Sequence, residues 1–160
     1  MLFSAMIAEV LGGVVTDYLL RRTRNLQIAR SLLIAVSWAL AVAALVPAIF
    51  VHDLVIGLAG FTLALFFLGF AISPLWTTTM DIAPNYAGSS SALMNAAGAV
   101  ASIVSPVAFG WILDRTGSWT TPFAFSVDLL LFAIVMTYWI RPDRPIEAVP
   151  GVDSLAVAGG

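Results

Sequence analysis

Residues 54–80, LVIGLAGFTLALFFLGFAISPLWTTTM, carry no charged side chain. A helix rises about 1.5 Å per residue, so about 20 apolar residues match a hydrocarbon core of about 30 Å, and this run is long enough to cross it. Three further apolar stretches, 31–51, 87–113 and 119–140, flank it, and almost every charge falls in the short connections between them. Strands are a poor alternative, because the runs lack the polar/apolar alternation of a barrel wall. The reading is an integral, all-α membrane protein.

Composition agrees. Hydrophobic residues make up 61% of the chain and charged residues 10%, and there is no lysine; ordinary soluble domains hold roughly 45–50% and 25%. Without cysteine there is no disulfide or thiolate metal site, and a single histidine cannot build a metal site alone. No cofactor is expected. No phosphate-cradling loop, catalytic triad or basic-aromatic nucleic-acid surface is visible, so the chain reads as neither an enzyme nor a nucleic-acid binder.

The arginines set an orientation. Arg21, Arg22, Arg24 and Arg30 precede the span at 31–51, Arg141 and Arg144 follow the last span, and Arg115 alone lies elsewhere. If the connection at 17–30 is cytoplasmic, alternation places the C-terminal tail on the same side, as the positive-inside rule expects. The expected location is the cell (inner) membrane. Residues 1–15 are apolar apart from Glu9 and, with Thr16, lack the basic start and small-residue cleavage site of a signal peptide. They read as the end of a truncated transmembrane helix. Residues 141–160, rich in Pro, Gly, Asp and small residues, read as a disordered cytoplasmic tail.

Two groups of motifs are more specific. Gly12-Gly13 and Asp17, then Arg21-Arg22, lie at the junction after the first apolar segment. A glycine admits close helix approach, an aspartate complements a helix N-terminus, and arginines hold a loop at an anionic leaflet. A topogenic arginine cluster beside an incidental aspartate is the plainer alternative. Further on come Pro74-Leu-Trp76, Asp81-Ile-Ala-Pro84-Asn-Tyr-Ala-Gly88, Ser91-Ala-Leu-Met-Asn95-Ala-Ala-Gly98, Ser105-Pro106, Gly110 and Gly117-Ser-Trp119-Thr-Thr-Pro122-Phe123.

The first group resembles the loop signature of the major facilitator superfamily, with Gly13, Asp17, Arg21 and Arg22 in place, though Leu20 stands where the pattern usually has a second glycine and Tyr18 where it has a basic residue. The whole string resembles the organic anion:cation symporter branch, whose members carry sugar acids and aromatic carboxylates. Asn85 departs from that branch, which often has a basic residue there. The resemblance implies the C-terminal six-helix half of a twelve-helix carrier, here one truncated plus four full helices, with the N-terminal half missing. It also implies proton- or cation-coupled uptake of a small organic anion. An efflux antiporter, or a small helical membrane protein acting as an assembly partner, are the other readings.

Gly98, Ser102, Pro106 and Gly110 recur every four residues and make a smooth stripe for helix packing. Asn95 lies near that seam, where its amide meets either a neighbouring helix or a substrate. The resemblance implies that Asn95 and Trp76 line the substrate path; Trp76 reads otherwise as an interfacial belt residue. Glu9 and Asp128 are carboxylates at membrane depth. Glu9 is the candidate for proton coupling, and Asp128 reads as a structural partner.

Overall fold

The computed structural model describes residues 2–51, 53–140 and 142–143. Five helices are long and apolar enough to cross a membrane, and no strand occurs among the described residues. They are α1 (Leu2–Thr23), α2 (Leu33–Phe50, entered through a π-helical segment at Ile28–Leu32), α3 (Leu54–Ile82), α4 (Ala87–Thr116) and α5 (Thr120–Thr137). Residues 144–160, where a tail was expected, lie outside the described residues.

The spans fall where the apolar runs predict, but their ends move. Helix α1 does not stop near residue 16. It continues through Asp17 and the Arg21-Arg22 pair to Thr23, because that stretch holds neither glycine nor proline, and arginines suit the negative end of a helix. The expected 17–30 connection therefore shrinks to a tight turn. Arg24 takes a left-handed φ of 50°, and its N–H donates to the Leu20 carbonyl at 2.9 Å. The Asn25 carboxamide oxygen then accepts from the N–H groups of Gln27 (2.9 Å) and Ile28 (3.3 Å), capping the next helix. At the other end of the chain, α4 runs on to Thr116 and is stopped by Gly117, whose φ of 62° closes a bond from its N–H to the Leu113 carbonyl.

Small residues set the packing. Helices α1 and α2 both lie against α3, and α5 lies against α2. The buried interior is mostly alanine, including Ala8, Ala41, Ala44, Ala48, Ala64 and Ala71, while Phe3, Val10, Ile103 and Val107 point outward. This is the arrangement lipid favours, since side chains as apolar as the solvent gain nothing from hiding and helices associate by close backbone approach. At the α1/α3 crossing a Cβ on Gly12 would run into the Phe70 carbonyl, and one on Gly69 would stand 2.8 Å from the Ala5 carbonyl oxygen. Three hydroxyls inside the bundle bond to their own helix: Ser37 to the Leu33 carbonyl, Thr78 to that of Pro74 and Thr137 to that of Ala133.

Helix α4 is the exception, for it has no buried residue. Thr79 on α3 donates to the Met94 sulfur at 3.2 Å near one end, and Phe109 packs edge-on against Phe123 of α5 near the other, their centroids 5.2 Å apart. Between these contacts, residues 95–107 are all exposed.

Candidate functional site

The residues that carry chemistry gather in two places. The first is the arginine-bearing end of the bundle. Arg30 sits in the π-helical entry to α2 and is 5% exposed. Its Nε donates to Asp81 Oδ2 at 2.9 Å, in the last turn of α3, and its Nη1 donates to the Thr16 hydroxyl at 3.2 Å. The Thr16 hydroxyl in turn donates to the Ala29 carbonyl. Asp17 Oδ1 stands 3.9 Å from the same guanidinium and is largely exposed, so it adds a weaker, water-screened attraction.

One buried cation thus joins three helices, at the start of α2, the last turn of α3 and about two turns before the end of α1. Taking a guanidinium out of water is costly unless its donors find partners, and here a carboxylate and a hydroxyl each take one. Of the predicted signature, Asp17 reaches this network, while Arg21 and Arg22 stay exposed on the last turn of α1. Gly13 faces the Ser73 hydroxyl, and the tighter helix crossing belongs to Gly12. Sequence reading took Arg30 as one of the basic residues of the junction and Asp81 as part of a motif string, and paired them with nothing. Arg30 carried a signal: it stands apart from the other arginines, beside the apolar run it opens.

The second place is the side of α3 and α4 near Thr79 and Met94. Trp76, half-buried on α3, and Asn95, exposed on α4, flank that crossing within about one helical turn of it. Among the described residues the Asn95 amide has no hydrogen-bond partner, and Gly98, Ser102 and Pro106 continue its exposed face away from the crossing. A Cβ on Gly98 or Gly110 would meet nothing within 4 Å, so no described helix lies on the stripe expected for packing. Glu9 on α1 and Asp128 on α5 are exposed, with no ion pair among the described residues. A group of three or more metal-ligating side chains is likewise absent among the described residues.

No family model and no solved structure matches the chain. Curated relatives do. The chain is 36% identical over 147 residues to a protein of Cupriavidus necator named as a probable sulfoacetate transporter, covering 92% of this chain and 34% of that one. It is 38% identical over 148 residues to an Escherichia coli K12 protein named as a probable galactarate/D-glucarate transporter, covering 90% and 32%. A hexuronate transporter of Bacillus subtilis is 28% identical over 87% of the chain and 33% of its own length. Over about nine-tenths of its length the chain is thus similar to proteins named as transporters of organic acids. The relatives are named as transporters, not as enzymes. It spans about a third of the length of these carriers.

Proposed function

We propose that this chain forms part of a secondary carrier that takes up a small organic anion, such as a sugar acid, together with a proton or another cation. One observation carries the reading: a similarity to carriers of sulfoacetate, galactarate or glucarate, and hexuronate that runs along nearly the whole chain. Each of those names an acid, several of them polyhydroxylated. A substrate of that kind offers carboxylate and hydroxyl groups, and an unpaired amide such as Asn95 can bond to either. The half-buried Trp76 supplies a flat wall beside it. The bare middle of α4 fits a helix that faces a water-filled path and a second bundle, the arrangement in which substrate sits near the membrane midplane. Glu9, exposed at membrane depth, is the carboxyl in this stretch suited to exchanging a proton. In this reading the turn at Arg24 and the C-terminal end face the cytoplasm of a cell with this carrier in its inner membrane.

The experiment is a chimera. This chain replaces the matching third of the Escherichia coli galactarate/D-glucarate carrier, and uptake of radiolabelled D-glucarate and sulfoacetate is measured in cells lacking their own carriers. Saturable uptake of either acid, lowered by collapsing the proton gradient, is the expected result. A chimera that reaches the membrane at normal level and accumulates no acid overturns the reading.

A further inference from the structure

A groove of about 230 Å³ runs between the start of α2 and the end of α5. Its floor is Ser31, Ala35 and Thr137, all buried, and Leu32 and Tyr138 form exposed walls. Asn25 and Gln27 stand at its mouth. The groove lies at the arginine-bearing end of the bundle and becomes apolar going inward along α2. Its volume falls below the roughly 300 Å³ at which small-molecule sites begin, and its exposed walls open it toward lipid.

The charges around the mouth are unbalanced. Among the five described arginines, Arg30 is taken up by Asp81 and Asp17, and Arg115 lies 5.5 Å over the ring of Trp111. Arg21, Arg22 and Arg24 are exposed and have no carboxylate partner among the described residues; Arg22 Nη1 donates only to the Tyr18 hydroxyl at 3.1 Å. Arg24 and Asn25 are chain neighbours in one fixed turn, so a cation and the groove mouth are held together by the same backbone. The opposite arrangement, with cations scattered on mobile loops, would give only a diffuse attraction to the leaflet.

We propose that this groove seats an acyl chain of an anionic phospholipid whose headgroup phosphate is held by Arg24, with Arg21 and Arg22 adding to the field. Charge complementarity selects the occupant. Three unpaired cations call for an anion, and the groove beneath, where the Ser31 and Thr137 hydroxyls are already spent on the Ile140 and Ala133 carbonyls, calls for one that carries a hydrocarbon tail. Basic pockets between membrane helices bind anionic headgroups for this reason. The Asn25 and Gln27 side chains stand where a glycerol or phosphate oxygen would need donors. The lipid would fill the α2/α5 seam and fasten the end of α5 to the turn that follows α1. This goes beyond the transport reading and does not depend on it.

The test uses the full chain in bacterial membranes, photolabelled with phosphatidylglycerol bearing a diazirine on its acyl chain and, separately, with the phosphatidylcholine form of the same probe. Labelled peptides are mapped by mass spectrometry. Phosphatidylglycerol should label Leu32, Ala35 and Tyr138 well above Val100, Ile103 and Val107 on the bare face of α4, whereas phosphatidylcholine should label both regions alike. R21Q/R22Q/R24Q should bring groove labelling down roughly tenfold, to the α4 level. L32W, which narrows the groove and leaves the arginines in place, should lower it as well, and its outcome stands if the triple variant does not accumulate. Equal labelling by the two headgroups, or uniform labelling over both regions, overturns the proposal. So does protection of the groove from both probes, which would mean that a protein segment covers it.

Discussion

Arg30 Nε lies 2.9 Å from Asp81 Oδ2, joining the π-helical entry of the second helix to the last turn of the third. Asp17, 3.9 Å from the same cation, is more than half exposed, while the Asp81 side chain retains only 29% of its surface. The two carboxylates are therefore unequal partners, although the sequence motif draws attention to Asp17.

Their inequality gives a ranking. Asp81→Ala leaves a buried guanidinium short of its main acceptor and should cost roughly 3 kcal/mol, the lower end of what breaking a buried pair costs, because some water still reaches the site. Asp17→Ala should cost roughly 0–1 kcal/mol, as exposed pairs do. Thermal unfolding of the two variants in the same lipid or detergent checks it. Equal losses would show that Asp17 carries more of the network than its distance allows.

The glycines separate in the same manner. Gly12→Ala sets a Cβ against the Phe70 carbonyl, and Gly60→Ala sets one 2.5 Å from Ala48 Cβ and 3.0 Å from the Ala44 carbonyl oxygen. Both should lower stability by roughly 1–3 kcal/mol or more, since backbone has to move. Gly98→Ala meets open space and should leave the bundle itself unharmed. Yield of monodisperse protein from size-exclusion chromatography distinguishes them. If Gly98→Ala spares the chain but impairs a full-length chimera, its neighbour lies in the other part of the carrier.

Orientation has its own test. In this cysteine-free chain, single cysteines at Arg24 and Ser118 should react oppositely with a membrane-impermeant maleimide added to intact cells, Ser118→Cys labelling and Arg24→Cys staying protected until the cells are broken. Labelling of Arg24→Cys from outside would reverse the assignment of sides.

Asn95→Ala in the glucarate chimera should weaken substrate binding by about one to two orders of magnitude with surface level unchanged. That is the scale of losing a hydrogen bond and leaving its partner unmet, roughly 1–3 kcal/mol. Unchanged uptake kinetics would assign the amide to contacts between helices, and Trp76 would then be better read as a belt residue.

How much of this was legible depended on how far each signal reaches along the chain. The helices could be read because lipid imposes a local rule: residues 54–80 must be apolar over the whole crossing, whatever packs on them. The end of α1 was misplaced because arginines read as leaflet anchors also prolong a helix, and the turn that stops it rests on single residues, Arg24 at its close and Asn25 capping the helix that follows. Arg30 and Asp81 lie 51 residues apart, and no spacing rule pairs them. Only the fold brings them together. Trp76 and Asn95 could be nominated from the motif string, whereas the emptiness of the face around Asn95 is a property of neighbours, which no stretch of α4 encodes.

Helix α4 is fastened near Met94 and near Phe109 and is bare between them. A rod held by a few soft contacts near each end resists being pulled away more than it resists turning about its own axis. Successive residues point about 100° apart, so a turn of that size would replace the side of the helix that carries Asn95 with the side next to it. Within this chain little interlocking opposes such a turn. The rotational setting of α4, and with it the direction in which Asn95 points, is accordingly left for whatever comes to lie on residues 95–107 to fix.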